Sequence, residues 1–187
     1  MAERQYNRAL GLLRLVAVYL LVGAMLALAR PTRFGLAVGI PFVVAGEALR
    51  LWAAGHLRKN VELVTSGPYR YTRNPLYFGR LLIFIGLCVM AGLPYGANWI
   101  ILVAGIAVFF GYYLPRKERV EPARLSEIHG ESFERYRSEV PALLPAWKPF
   151  RGAGASVDWS SSRMLVNREH WMVVGLLVAL LILLWRV

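Results

Sequence analysis

Between residues 81 and 114 the chain carries 34 consecutive positions without a charged side chain. As one α-helix at 1.5 Å per residue that run would measure ~51 Å, against a bilayer hydrocarbon core of ~30 Å. It has to fold back on itself. The break is written in Pro94-Tyr95-Gly96-Ala97-Asn98, where proline and glycine punctuate an otherwise apolar stretch. The expectation is a membrane hairpin with helices over 76–93 and 98–114.

Three further apolar runs are candidate crossings. The first covers 9–29. The second covers 34–57 and contains Glu47 and Arg50; two charges three residues apart share a helix face, and that face has to meet protein or water rather than lipid. The last, 171–185, is short for a crossing, although flanking residues can snorkel or the bilayer can thin around it. Composition agrees: of 187 residues 57% are hydrophobic and 18% charged, below the ~25% charged of soluble domains. With no internal repeat or linker, residues 1–187 are expected to form one all-α membrane domain. It would be a polytopic bundle of about five transmembrane helices with short cytoplasmic amphipathic helices.

A net charge of +11 could serve nucleic acid, so the placement of the basic residues decides. Five crossings put the N-terminus and the segments 58–80 and 115–170 on one side. Only Arg30, Arg33 and Arg186 then fall on the other. By the positive-inside rule the basic side is cytoplasmic, which accounts for the charge without nucleic acid. Trp99, Trp171 and Trp185 stand at expected helix ends, where interfacial anchors belong. The first apolar run follows Arg4 and Arg8, contains Arg14 and lacks a small-residue cleavage pattern, so it is expected to be a retained helix. Cys88 is the single cysteine, which excludes an intrachain disulfide framework. Oligomeric state is not legible.

In the second cytoplasmic segment Val120, Leu125, Ile128, Phe133, Tyr136 and Val140 recur at spacings of three to five, as short amphipathic helices require. Pro122 favours a helix start and Gly130 a helix end, and Val140-Pro141 forces an extended exit.

The stretch Gly67-Pro68-Tyr69-Arg70-Tyr71-Thr72-Arg73-Asn74-Pro75-Leu76-Tyr77-Phe78-Gly79 is dense in turn formers, aromatics and arginine directly before a membrane helix. By itself it is explained by a Gly-Pro turn, a helix start at Asn74-Pro75 and side chains meeting lipid headgroups. It also resembles the signature Gly-Pro-Tyr-x-Tyr-x-Arg-His-Pro-x-Tyr-x-Gly of the isoprenylcysteine carboxyl methyltransferase and phospholipid methyltransferase-like membrane family, with Asn74 in place of histidine. After the hairpin that family carries a second block, roughly Glu-Glu-x-x-Leu-x-x-x-Phe-Gly-x-x-Tyr-x-x-Tyr-x-x-x-Val-Pro. Here it runs Glu121-Pro122-Ala123-Arg124-Leu125, His129-Gly130, Phe133, Tyr136 and Val140-Pro141. Arg50-Leu51-Trp52-Ala53 is similar to the arginine-containing end of the preceding family helix.

The resemblance covers about 47–145. It implies S-adenosylmethionine as cofactor, held on the cytoplasmic side by both blocks, and a lipid-like or amphipathic substrate entering laterally from the bilayer. Methyl transfer from a sulfonium is a direct displacement in which positioning supplies most of the catalysis, so no metal is required. His56, His129 and His170 show no metal-ligand spacing. Arg73 and Arg50 are the candidate catalytic residues. Asn74, Tyr77, Glu121 and Leu125 are the candidate cofactor contacts: an amide and a carboxylate for polar groups, an aromatic and an aliphatic wall for adenine. The bland alternatives are a headgroup anchor for Arg73, a helix-start carboxylate for Glu121 and a mutual Glu47–Arg50 ion pair.

Asparagine cannot act as a general base near neutral pH, as histidine can. Position 74 therefore favours a carboxylate substrate, such as isoprenylcysteine, or lost activity. Two other readings stay open: an NADPH-dependent sterol- or steroid-type membrane reductase, although no Gly-x-Gly-x-x-Gly is present, and a noncatalytic membrane protein of the same fold.

Overall fold

The computed structural model describes Val16 and residues 20–57, 63–152 and 157–187, apart from the side chains of Glu121, Ala123 and Arg124. Among them no strand forms. Residues 20–28 are helical (α1); apart from Val16, the earlier part of the run expected over 9–29 lies outside the described residues. Helix α2, Arg33–His56, starts at Thr32, whose hydroxyl accepts from the Gly35 amide at 3.0 Å, a side-chain cap for one of the unpaired first-turn donors.

Helix α3, Pro75–Ala91, returns antiparallel along α2. Two glycine pairs set their separation. A Cβ added to Gly46 would stand 2.6 Å from the Gly79 carbonyl, and one added to Gly86 2.6 Å from the Gly39 carbonyl. Both pairs are seven residues apart along their helices, two turns, so the same helix faces meet twice. In an apolar medium this close backbone approach, rather than hydrophobic exclusion, drives helix association. Leu36, Val43, Ile83 and Met90 fill the space beside the glycines with Leu176 and Leu183 of the last helix.

Helix α3 stops at Gly92, whose φ of +52° is the left-handed conformation that ends helices. After the turn Pro94–Gly96 comes α4, Ala97–Val108, so the hairpin folds where the sequence indicates. Asn98 fastens it by donating to the Cys88 carbonyl at 3.1 Å. Helix α4 exposes Trp99, Ile100, Val103 and Val108 and buries Asn98. An apolar exterior around a buried amide is the arrangement of a lipid-facing helix.

Beyond Val108 the chain does not stop near residue 114 and begin again at Pro122, as the sequence suggests. A π-helical turn, Phe109–Tyr113, leads straight into α5, Leu114–His129. The wide turn, in which the Leu114 amide reaches back to the Phe109 carbonyl, takes up the disturbance of Pro115 just ahead. Pro122 removes the bond that the Glu118 carbonyl would have accepted, yet α5 runs through it to His129. A helix already running continues. Gly130, at φ +52°, does end it, and α6, Glu131–Glu139, follows before Val140 turns extended.

After Val140, residues 140–152 form an irregular strap. Helix α7, Ser161–Val166, and helix α8, Glu169–Trp185, close the chain. By length and apolarity, Arg33–His56 and the continuous run Pro94–His129 can each cross a membrane, while Pro75–Ala91 and Glu169–Trp185 are shorter. At 17 residues each, the latter two measure ~26 Å, a little under the ~30 Å core.

Candidate active site

The first motif block is a loop built to be gripped. Gly67 sits at φ +57° with the His56 ring packed where a side chain would be, and Gly67–Arg70 form one 3-10 turn. The strap from the second block lies across it. The Arg73 amide donates to the Pro141 carbonyl at 3.0 Å, the Ala146 amide to Tyr71 at 2.8 Å and the Phe150 amide to Arg70 at 2.9 Å. The Thr72 hydroxyl donates to the Leu143 carbonyl at 2.8 Å, and the Arg70 Nε to the Phe150 carbonyl at 3.1 Å. Underneath, Tyr136 donates to the Tyr69 carbonyl at 2.7 Å. Burial pushes the Tyr136 phenol well above its ordinary range, against a weaker pull from the nearby Arg73 cation, so it serves as a neutral donor.

Arg73 and Asn74 come together at this seam, and a carboxylate absent from the sequence expectation holds both. Glu118 on α5 pairs with Arg73, Nη2 to Oε2 at 2.8 Å, and accepts from Asn74, Nδ2 to Oε1 at 2.9 Å. Arg73 Nε also donates to the Val140 carbonyl at 3.0 Å, and Asn74 Nδ2 to the Ala142 carbonyl at 2.8 Å. Asn74 is buried. Tyr77, in the first turn of α3, has Lys117 Nζ 4.5 Å and Arg80 Cζ 5.5 Å from its ring centroid, so its π face is flanked by cations. Leu125 is half-buried against the cluster of Phe133, Tyr136, Val140 and Phe150. Glu121 lies in α5, and its side chain is outside the described residues.

Arg50 belongs to a second, adjoining cluster. It is buried between Glu47, 3.4 Å from its Nε, and Glu169 at the start of α8, which its Nη2 grips. Nη1 reaches the Leu76 carbonyl at 3.5 Å, in the first turn of α3. The Glu47–Arg50 ion pair is therefore formed, and Glu169 makes it a triad. The two Glu47 oxygens are buried without a hydrogen bond.

Two residues of these clusters escaped the sequence reading. Glu118 had a usable signal, since it stands one helical turn before Glu121 in the same charged segment. Glu169 had none, because only the return of α8 to α2 gives it a partner. Among the described residues no group of three His, Cys, Asp or Glu is placed to hold a metal. His56 instead lies 2.5 Å through Nδ1 from the Val157 carbonyl, beside Ser66, which donates to that carbonyl at 2.9 Å.

Comparison with known proteins bears on this seam directly. Residues 50–132 match the phospholipid methyltransferase family. The chain is 32% identical over 139 residues to the cobalt-zinc-cadmium resistance protein CzcN of Cupriavidus metallidurans, a match covering 73% of this chain and 60% of that protein. It is 32% identical over 134 residues to the human protein-S-isoprenylcysteine O-methyltransferase, covering 64% and 43%. With the methanethiol S-methyltransferase of Crocosphaera subtropica it shares 32% identity over 87 residues, covering 46% and 30%. The chain thus spans between 30% and 60% of the length of these relatives. No solved structure matches it.

Proposed function

We propose that this isoprenylcysteine methyltransferase-like chain is a membrane-embedded, S-adenosylmethionine-dependent methyltransferase acting on a lipid-linked or amphipathic small substrate. The observation that carries the reading is the seam: two sequence blocks separated by a membrane hairpin are bound to each other through Arg73, Asn74 and Glu118. Such a seam, beside lipid-facing helices, suits the meeting of a polar cofactor and an apolar substrate.

The residues present fit the cofactor's chemistry. Asn74 Oδ1 offers an acceptor, Arg73 keeps Nη1 outside its bonds to Glu118 and Val140, and Tyr77 adds an aromatic ring in the first turn of α3. Bound there, S-adenosylmethionine would supply a methyl group on a sulfonium, open to in-line displacement without a metal. The protein's part is then positional. The strap over 140–152 holds the first block in place, and the Arg50 triad anchors the first turn of α3, which carries Tyr77. A carboxylate substrate, such as isoprenylcysteine, arrives as its own nucleophile and needs no base at position 74.

The same reading orients the molecule. The basic segments 58–80 and 115–170 belong on the cytoplasmic side with the N-terminus, and five crossings satisfy the distribution of Lys and Arg. Calorimetric titration of the detergent-purified protein tests the cofactor class. S-adenosylhomocysteine is expected to bind and NADPH not to. Binding of NADPH alone would replace this reading with the reductase one.

A further inference from the structure

The geometry points to Glu118 as a positioning residue that orients Asn74, so that the site presents an acceptor, Asn74 Oδ1, to a ligand N–H or O–H. This rests on the methyltransferase reading and deepens it by fixing the polarity of one contact. An asparagine amide carries two donor hydrogens on Nδ2 and an acceptor at Oδ1. Here both oxygens facing the Nδ2 end, Glu118 Oε1 at 2.9 Å and the Ala142 carbonyl at 2.8 Å, can only accept. Turning the amide over would aim Oδ1 at two acceptors, so the network dictates the orientation.

Glu118 in turn cannot swing away cheaply. Its other oxygen holds the Arg73 guanidinium at 2.8 Å, and Arg73 is itself tied to the Val140 carbonyl. With Nδ2 fully used, Oδ1 is the side-chain atom of Asn74 with no partner among the described residues. The ligand group it takes is an ammonium, an amino group or a hydroxyl, and a carboxylate is excluded from that contact. The methionyl ammonium, the ribose hydroxyls and the adenine amino group of S-adenosylmethionine all meet this requirement.

A double-mutant cycle on S-adenosylhomocysteine affinity, measured by calorimetry beside thermal unfolding, tests the role. Glu118→Ala is expected to weaken binding about tenfold in the native background and less than about twofold in an Asn74→Ala background, because the effect travels through the asparagine. Glu118→Gln leaves a single acceptor oxygen for Nδ2 and the Arg73 guanidinium to share, so it is expected to weaken binding about threefold to tenfold in the native background and less than about twofold with Asn74→Ala. A Glu118 that only supports folding would lower the unfolding midpoint and leave the same penalty in both backgrounds. That outcome, or no penalty at all in the native background, overturns the inference and spares the methyltransferase reading. If Glu118→Ala cannot be purified, Glu118→Gln decides by the same cycle, an equal penalty in the native and Asn74→Ala backgrounds counting against the role. Absence of binding to the native protein overturns both.

Discussion

At the scale of the residue, the buried arginine of α2 is the most exacting feature of the molecule. Arg50 is nearly inaccessible and meets Glu47, Glu169 and the Leu76 carbonyl. A buried ion pair contributes little net stability when intact, yet loss of one partner leaves an uncompensated charge and costs about 3–5 kcal/mol. Arg50→Ala strands two carboxylates against each other, whereas Glu169→Gln keeps an acceptor for the guanidinium. The expected result is a large drop in thermal midpoint for Arg50→Ala and a clearly smaller one for Glu169→Gln, followed by unfolding in detergent. Equal effects would mean that the guanidinium requires the charge of Glu169 and not merely an acceptor at its position.

At the scale of the element, the α2–α3 pair rests on backbone contact, and glycine substitutions measure it. A Cβ at Gly46 would approach the Gly79 carbonyl to 2.6 Å and the Ile83 side chain to 2.9 Å. Neither a carbonyl nor a packed isoleucine stem yields freely, so Gly46→Ala is expected to destabilise by about 1–3 kcal/mol, the usual cost of overpacking. Gly175 in α8 has nothing within 4 Å of its Cβ position. There alanine relieves the helix-interior cost of glycine, and Gly175→Ala is expected to be neutral or to stabilise by up to about 1 kcal/mol. The two midpoints should move in opposite directions or differ by several degrees. The same scale holds the main misreading of the sequence. Pro122 looked like a helix start because proline favours first turns, but a helix entering from α4 loses a hydrogen bond there and runs on to Gly130.

At the scale of the whole molecule, the proposed topology makes a prediction about sidedness. Trp147, on the strap, and Tyr95, at the tip of the hairpin, are both fully exposed. The single native cysteine, Cys88, is buried and gives little background. In sealed vesicles an impermeant thiol reagent is expected to reach Tyr95→Cys only from outside the cell and Trp147→Cys only from the cytoplasmic face. Labelling of both from one side would remove the five-crossing arrangement. By itself the sequence determined what depends on local chemistry: the charge-free run that has to fold back, the break in Pro94-Tyr95-Gly96-Ala97-Asn98, the helix stop at Gly130, the extended exit at Val140-Pro141, and the two motif blocks that resemble those of the methyltransferases. Each of these is decided by a residue and its near neighbours. Only the tertiary structure decided that Glu118 holds Arg73 and Asn74, that Glu169 completes the Arg50 triad, and that Gly39 and Gly46 lie against Gly86 and Gly79. Asn74 and Glu118 stand 44 residues apart in the chain, and Arg50 and Glu169 119. A charge or a glycine does not announce its distant partner, because the interaction energy appears only once the chain has brought the two faces together.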